Sequence, residues 1–168
     1  MIRSKGIPFD NILTTQIVGI TRTLDMQSMP EGSMKRVLFL CTGNSARSQM
    51  SEALLKYLGG DGFEVHSAGT KVAATVNPFA LEVIRERGAS TEGLYPKKVD
   101  QFMNQAFDVV ITVCDSAKQA CPHFPNAKMM LHWSLEDPAA FQGTYDEILQ
   151  VFRDTREEIE RRIKSQLL

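Results

Sequence analysis

Apolar and polar positions alternate in two registers along this chain. Short candidate strands fall at residues 36–40, 63–67, 107–114 and 128–132, the third nearly continuously apolar, as expected of a strand covered on both faces. Between them, apolar residues recur every three or four positions. Met50, Ala53, Leu54, Tyr57 and Leu58 form one such stripe, which stops at Gly59-Gly60. Asn77 followed by Pro78 has the form of a helix cap and first helical residue, leading through Leu81 and Ile84 to a stop at Gly88. Thr144 and Glu147 have capping-box spacing, and Ile148, Val151, Phe152, Ile159 and Ile163 make a core-facing stripe on a long charged helix. Strands alternating with helices imply right-handed crossovers and a three-layer α/β domain, a four-stranded parallel sheet flanked by helices. In such sheets ligands bind at the carboxyl ends of the strands. Cys41 ends the first strand and Cys114 the third, so both thiols are expected at one crevice.

The first strand runs into Cys41-Thr42-Gly43-Asn44-Ser45-Ala46-Arg47-Ser48, a polar loop that opens a helix. Gly43 and Asn44 tolerate the left-handed backbone of a tight turn, and successive N–H groups from Thr42 to Arg47 can then converge on one anion. Cys41 lies at the base of this cradle. The helix N-terminus and Arg47 are expected to lower its pKa toward the thiolate. Arg47 also offers a rigid fork for two oxygens of a tetrahedral oxyanion. The loop has neither the Gly-Lys-Ser/Thr ending of a Walker loop nor a Gly-x-Gly-x-x-Gly turn, which points to a small oxyanion rather than a nucleotide.

Composition narrows the partners. With 168 residues, 43% apolar, the chain supports one well-cored domain, and a net charge of −1 provides no bulk attraction for nucleic acid or an anionic membrane. No run approaches the ~20 apolar residues of a membrane span. Residues 1–33 have balanced charge and no clear period, and Pro30-Glu31-Gly32-Ser33 punctuates them from the first strand. They are expected to be a poorly ordered extension or a mis-assigned translation start, with the functional domain at 34–168. They do not resemble a secretory signal. A cytoplasmic monomer is expected, and three cysteines in a reducing compartment suggest reactive thiols rather than a disulfide framework.

Two further segments carry chemistry. Cys114 and Cys121 are separated by six residues, and His132-Trp133-Ser134-Leu135-Glu136-Asp137-Pro138-Ala139 follows. Together with Cys-Thr-Gly-Asn-Ser-x-Arg-Ser-Gln-Met, these segments resemble the thioredoxin-coupled arsenate reductases, which share a fold with low-molecular-weight protein tyrosine phosphatases. The resemblance spans Met34 to the C-terminus. It implies that Cys41 attacks arsenate while the loop amides and Arg47 hold its oxygens, that Asp137 protonates the departing oxygen, and that Ser48 hydrogen-bonds the nucleophilic sulfur. It implies a relay through Cys114 and then Cys121, recycled by thioredoxin, with a mobile segment between those two cysteines. It also implies a potassium ion behind the loop at Asn44, Glu52, Ser67 and Asp100. Ala46 stands where many relatives carry another cysteine, which this relay does not use.

Rival readings remain open on the residues alone. A phosphatase would use Cys41, Arg47 and Asp137 and ignore the other thiols, although Ala139 stands where phosphatases usually carry an aromatic residue. A non-catalytic module could hold arsenite with three thiols. Cys114, Cys121, His123 and His132 have zinc-ligand chemistry but no common zinc spacing. His66 reads as a satisfied strand histidine, and Asp137 has a bland alternative as the turn residue before Pro138.

Overall fold

The structure is a computed structural model and describes residues 33–114 and 124–168. The expectations placed on residues 1–32, on Cys121 and His123, and on the segment linking Cys114 to Cys121 lie outside the described residues. Four parallel strands, β1 (Lys35–Cys41), β2 (Phe63–Gly69), β3 (Phe107–Thr112) and β4 (Ala127–His132), form one sheet in the order β2-β1-β3-β4. Chain order and spatial order differ at β1, which pairs with β2 on one side and β3 on the other. That reversal opens a crevice beyond the end of β1, where the polar loop begins.

Alternation along β1 divides the core. Val37, Phe39 and Cys41 face one hydrophobic cluster and Leu38 and Leu40 the other, as the two-residue period of a strand requires. The first cluster is closed by three helices, α1 (Arg47–Gly59), α2 (Pro78–Glu86) and α3 (Tyr145–Gln166). Opposite them, among the described residues, Val99 and Phe102 of a 3-10 turn join Phe107 and Phe124. Trp133 is buried against Phe39, with ring centroids 5.6 Å apart, and its indole N–H donates to Gln166 at the end of α3.

The expected helix signals form. Asn77 caps α2 by accepting from the Phe79 N–H at 2.9 Å, Gly88 takes a positive φ of 85° just past the helix, and Thr144 and Glu147 complete a reciprocal capping box on α3. Two local expectations need correction. Tyr57 is not part of the buried stripe of α1: it is 47% exposed and lies under the Arg87 guanidinium, because its position on α1 falls at the rim of the core. The third strand ends at Thr112 rather than Cys114. Beyond Thr112, Val113 still donates to the Leu40 carbonyl at 2.8 Å, and Cys114 then leaves the sheet toward the loop. Among the described residues no helix is long and apolar enough to cross a membrane.

Candidate active site

The loop after β1 is held from outside by its carbonyls. Those of Cys41, Thr42, Gly43 and Ser45 accept from the backbone N–H groups of Thr70, Lys71, Ala73 and Asn77, and that of Asn44 accepts from Gln49 Nε2. The C=O and N–H of a trans peptide point in opposite directions, so tethering the carbonyls outward aims the following N–H groups into the loop. Asn44 adopts the left-handed conformation expected of it, at φ 49°, whereas Gly43 has no positive φ. Helix α1 adds to the cradle. Its first turn has neither a side-chain cap nor an acidic residue, leaving its N–H groups and the positive end of its dipole available to an anion.

Cys41 is 4% exposed at the base of this loop. Its sulfur accepts from the Asn44 N–H at 2.9 Å and lies 2.8 Å from Ser48 Oγ. Cys114, also buried, comes to the same place: its sulfur is 3.6 Å from Thr42 Oγ1, and it acts electrostatically on Cys41. Both residues are present as thiols rather than disulfide halves. Arg47 reaches across the mouth, donating to the Leu135 carbonyl at 2.8 Å and pairing with Asp137 Oδ2 at 3.2 Å. Asp137 fills the turn role open to it, since its other oxygen accepts from the Ala139 N–H and caps the 3-10 turn Pro138–Ala140. The cavity enclosed by Cys41, Gly43, Ser45, Arg47, Asp137 and Ala139 has a volume of about 80 Å³, enough for one small tetrahedral oxyanion. A wider groove of about 660 Å³ on the far side of Asp137, against α3, contains no thiol.

The expectation of a lowered thiol pKa is not met. Burial pushes the Cys41 thiol up; Ser48, the Asn44 N–H and Arg47 pull it down without cancelling that effect, and Cys114 adds to the rise. Arg47 is turned to Asp137, which neutralises part of the charge the sulfur would otherwise feel. A raised pKa keeps the proton on sulfur at neutral pH. Alkylation of Cys41 by iodoacetamide, followed by mass mapping without oxyanion, is therefore expected to keep climbing above the pH where an ordinary cysteine, near 8.5, levels off. A plateau already reached at neutral pH would contradict this environment.

Behind the loop, Asn44, Ser67 and Glu52 are buried and linked. Asn44 Nδ2 donates to Ser67 Oγ at 2.8 Å, and Ser67 donates to Glu52 Oε2 at 2.5 Å. Asp100 is not part of this chain: it lies exposed on the 3-10 turn Val99–Phe102. His66 pairs with Glu64 and packs between Phe102 and Phe107, as a satisfied strand histidine should. His132 is 2.8 Å from Thr112 Oγ1, and among the described residues no group of three metal-ligating side chains converges.

Sequence reasoning missed four residues. Lys97 and Gln49 are buried against the loop from behind, and the Leu135 carbonyl anchors Arg47. The fourth is Gly69, the last residue of β2, where a Cβ would lie 2.6 Å from the Thr42 carbonyl oxygen and 3.0 Å from Asn44 N. A glycine directly after an apolar strand was the available signal. Gly69→Ala is expected to displace the loop and, since misplacing reacting groups by ~1 Å costs about 10²-fold, to lower turnover on that order while far-ultraviolet circular dichroism stays unchanged. Unaltered turnover would show that the loop yields easily.

The family model for low molecular weight phosphotyrosine protein phosphatase matches residues 36–168. The chain belongs to this family. Within it, the chain is similar to the arsenate reductase of Halalkalibacterium halodurans, with 43% identity over 131 residues, 78% of this chain and 94% of that protein. Among solved structures, one described as an arsenate reductase in the phosphate binding state superposes with a TM-score of 0.67 at 32% identity, covering 78% of this chain and 95% of the other. The thioredoxin-dependent arsenate reductase of Corynebacterium glutamicum superposes at 0.58 with 32% identity, covering 80% and 64%.

Proposed function

We propose that this protein reduces arsenate to arsenite through Cys41, Cys114 and Cys121, with thioredoxin as the final reductant. The observation that carries the reading is the convergence of two buried thiols, Cys41 and Cys114, on one oxyanion-sized loop. Hydrolysis of a phosphate ester needs one thiol there, whereas removing two electrons from a pair of thiols needs a second. The relatives named above are arsenate reductases, and the one in a phosphate binding state supports the loop as a receptor for tetrahedral oxyanions.

The chemistry follows from the placement. Arsenate enters the loop, its oxygens taken by the backbone N–H groups and by the Arg47 fork, which leaves Asp137. Ser48 and the Asn44 N–H hold Cys41 sulfur as it forms a bond to arsenic. The Cys41 thiol proton passes by way of the Asp137 carboxylate, released from Arg47, to one arsenate hydroxyl, which departs as water. Such proton donation is worth roughly 10²–10⁴-fold. Cys114 then attacks Cys41 sulfur; the sulfur–arsenic electron pair stays on arsenic, which leaves as arsenite, and the two sulfurs form a disulfide. Cys121 attacks Cys114, returning Cys41 to the thiol, and the dithiol of thioredoxin reduces the Cys114–Cys121 bond. Reaction of the reduced protein with arsenate alone tests this directly. One arsenite per protein and a mapped Cys114–Cys121 disulfide are expected.

A phosphatase reading draws on the family and on Cys41, Arg47 and Asp137 alone. Faster turnover of an aryl phosphate than of arsenate, with all three thiols recovered reduced, would establish it instead.

A further inference from the structure

Lys97 is an unusual residue to find beneath an anion-binding loop. Its side chain is 6% exposed, and a lysine is almost never that deeply buried unless its charge is paired. Its Nζ lies 3.1 Å from Glu52 Oε2, donates to the Tyr95 carbonyl at 3.1 Å, and sits over the Tyr95 ring, 4.7 Å from the centroid. The backbone of Lys97 is fixed as firmly as its side chain. Its N–H donates to Asn44 Oδ1 at 2.7 Å, and its carbonyl accepts from the Gly69 N–H at 2.8 Å.

This is the place where resemblance puts a potassium ion, and the residues present do not fit one. Asn44 Oδ1 already accepts from Lys97 N and from Gln49 Nε2. Glu52 Oε1 is taken by Lys56 at 2.6 Å, and Oε2 by Ser67 and Lys97. Ser67 Oγ accepts from Asn44 and donates to Glu52, and Asp100 is exposed elsewhere. A hard cation needs several oxygen lone pairs turned toward it. Here they are turned toward N–H and O–H donors, and a bound ion would share Glu52 with two ammonium groups. Gln49 Oε1, a buried side-chain oxygen without a hydrogen-bond donor, is a single ligand rather than a coordination set.

The same network reaches the nucleophile with a defined direction. Ser67 donates to Glu52, so its oxygen is free to accept from Asn44 Nδ2, and the other Asn44 Nδ2 hydrogen goes to Ser48 Oγ at 2.9 Å. Ser48, accepting from Asn44, keeps its own hydrogen available for Cys41 sulfur, 2.8 Å away. The orientation starts at Glu52, whose Oε1 is taken by Lys56 and whose Oε2 meets Lys97 and accepts from Ser67. Burial raises the Glu52 carboxyl, but Lys56, Lys97 and Ser67 outweigh burial and hold it below its ordinary value.

We propose that the Lys97 ammonium is the built-in cation of this loop: it takes the place of a potassium ion, makes the protein indifferent to potassium, and orients Ser48 toward Cys41 through Glu52, Ser67 and Asn44. Lys97 is thus a positioning residue. The positioning half rests on Cys41 being the nucleophile of the proposed reduction, while the ion half does not.

The test compares Tm and steady-state arsenate turnover in potassium chloride and choline chloride of equal ionic strength, for the unaltered protein and for Lys97→Met. The unaltered protein is expected to have the same Tm and kcat in both salts. Lys97→Met is expected to lose roughly 10-fold in kcat, the scale usual for partners one step removed from a reacting site, with little change in KM, and to regain Tm and part of kcat only in potassium. A rise in Tm or kcat of the unaltered protein with potassium would overturn the proposal, as would a Lys97→Met variant with full kcat in choline chloride. If that variant does not fold, the salt comparison on the unaltered protein decides the ion claim, and Glu52→Gln, expected to lose kcat by a similar factor, decides the positioning claim. Because Tm needs no substrate, failure of the arsenate reaction itself remains distinguishable from failure of the ion claim.

Discussion

Cys121→Ser is expected to release one arsenite per protein molecule and then stop, with Cys41 and Cys114 joined. Cys114 lies beside the loop that holds Cys41, so the first disulfide can form without the third thiol. Serine cannot attack that disulfide, and Cys41 stays blocked. Turnover under excess thioredoxin should fall to the slow rate at which thioredoxin reaches a bond between two buried sulfurs. Quantifying arsenite per protein after a minute, with peptide mapping under non-reducing conditions, reads both parts. Repeated turnover at the original rate would remove Cys121 from the relay, and free Cys41 and Cys114 after arsenate exposure would remove the relay itself.

Arg47→Lys is expected to cost about 10²–10³-fold in kcat/KM, the size usual for loss of one oxyanion-stabilising donor. Lysine keeps the charge but loses the planar fork, and with it the ability to hold two oxygens at once. In the structure the same fork joins the Leu135 carbonyl to Asp137, so Arg47 also fixes the segment that carries Asp137. Its pair with Asp137 is partly exposed and contributes little to stability. Tm should therefore change far less than activity. A variant retaining most of its kcat/KM would mean that the backbone N–H groups alone secure the oxyanion.

Local signals in the sequence were sufficient wherever one short segment carries the whole message. The run through Cys41 to Ser48 combines strand, turn and helix start, and Thr144 with Glu147 or Asn77 with Pro78 mark helix ends through contacts three residues apart or fewer. Cys114 was legible through its strand end, because a parallel sheet brings its carboxyl edges together, and Asp137 only through the resemblance of the segment that carries it. Lys97 was not. Its meeting with Glu52, 45 positions earlier, exists only because β2 lies beside β1 and the Gly69 N–H donates to the Lys97 carbonyl. Nothing in Tyr95-Pro96-Lys97-Lys98 marks one of two adjacent lysines as buried. The thiol's upward pKa was equally hidden, since charge near Cys41 can be read from neighbours in sequence but desolvation depends on the whole core.

The most direct measurement follows NADPH oxidation when arsenate is added to the protein with thioredoxin and thioredoxin reductase, alongside Cys121→Ser. The expected result is sustained arsenate-dependent oxidation by the unaltered protein and its loss in the variant. No arsenate-dependent oxidation by the unaltered protein, with an aryl phosphate hydrolysed by the same sample, would contradict the reductase and leave Cys114 as a structural residue beside a phosphatase loop.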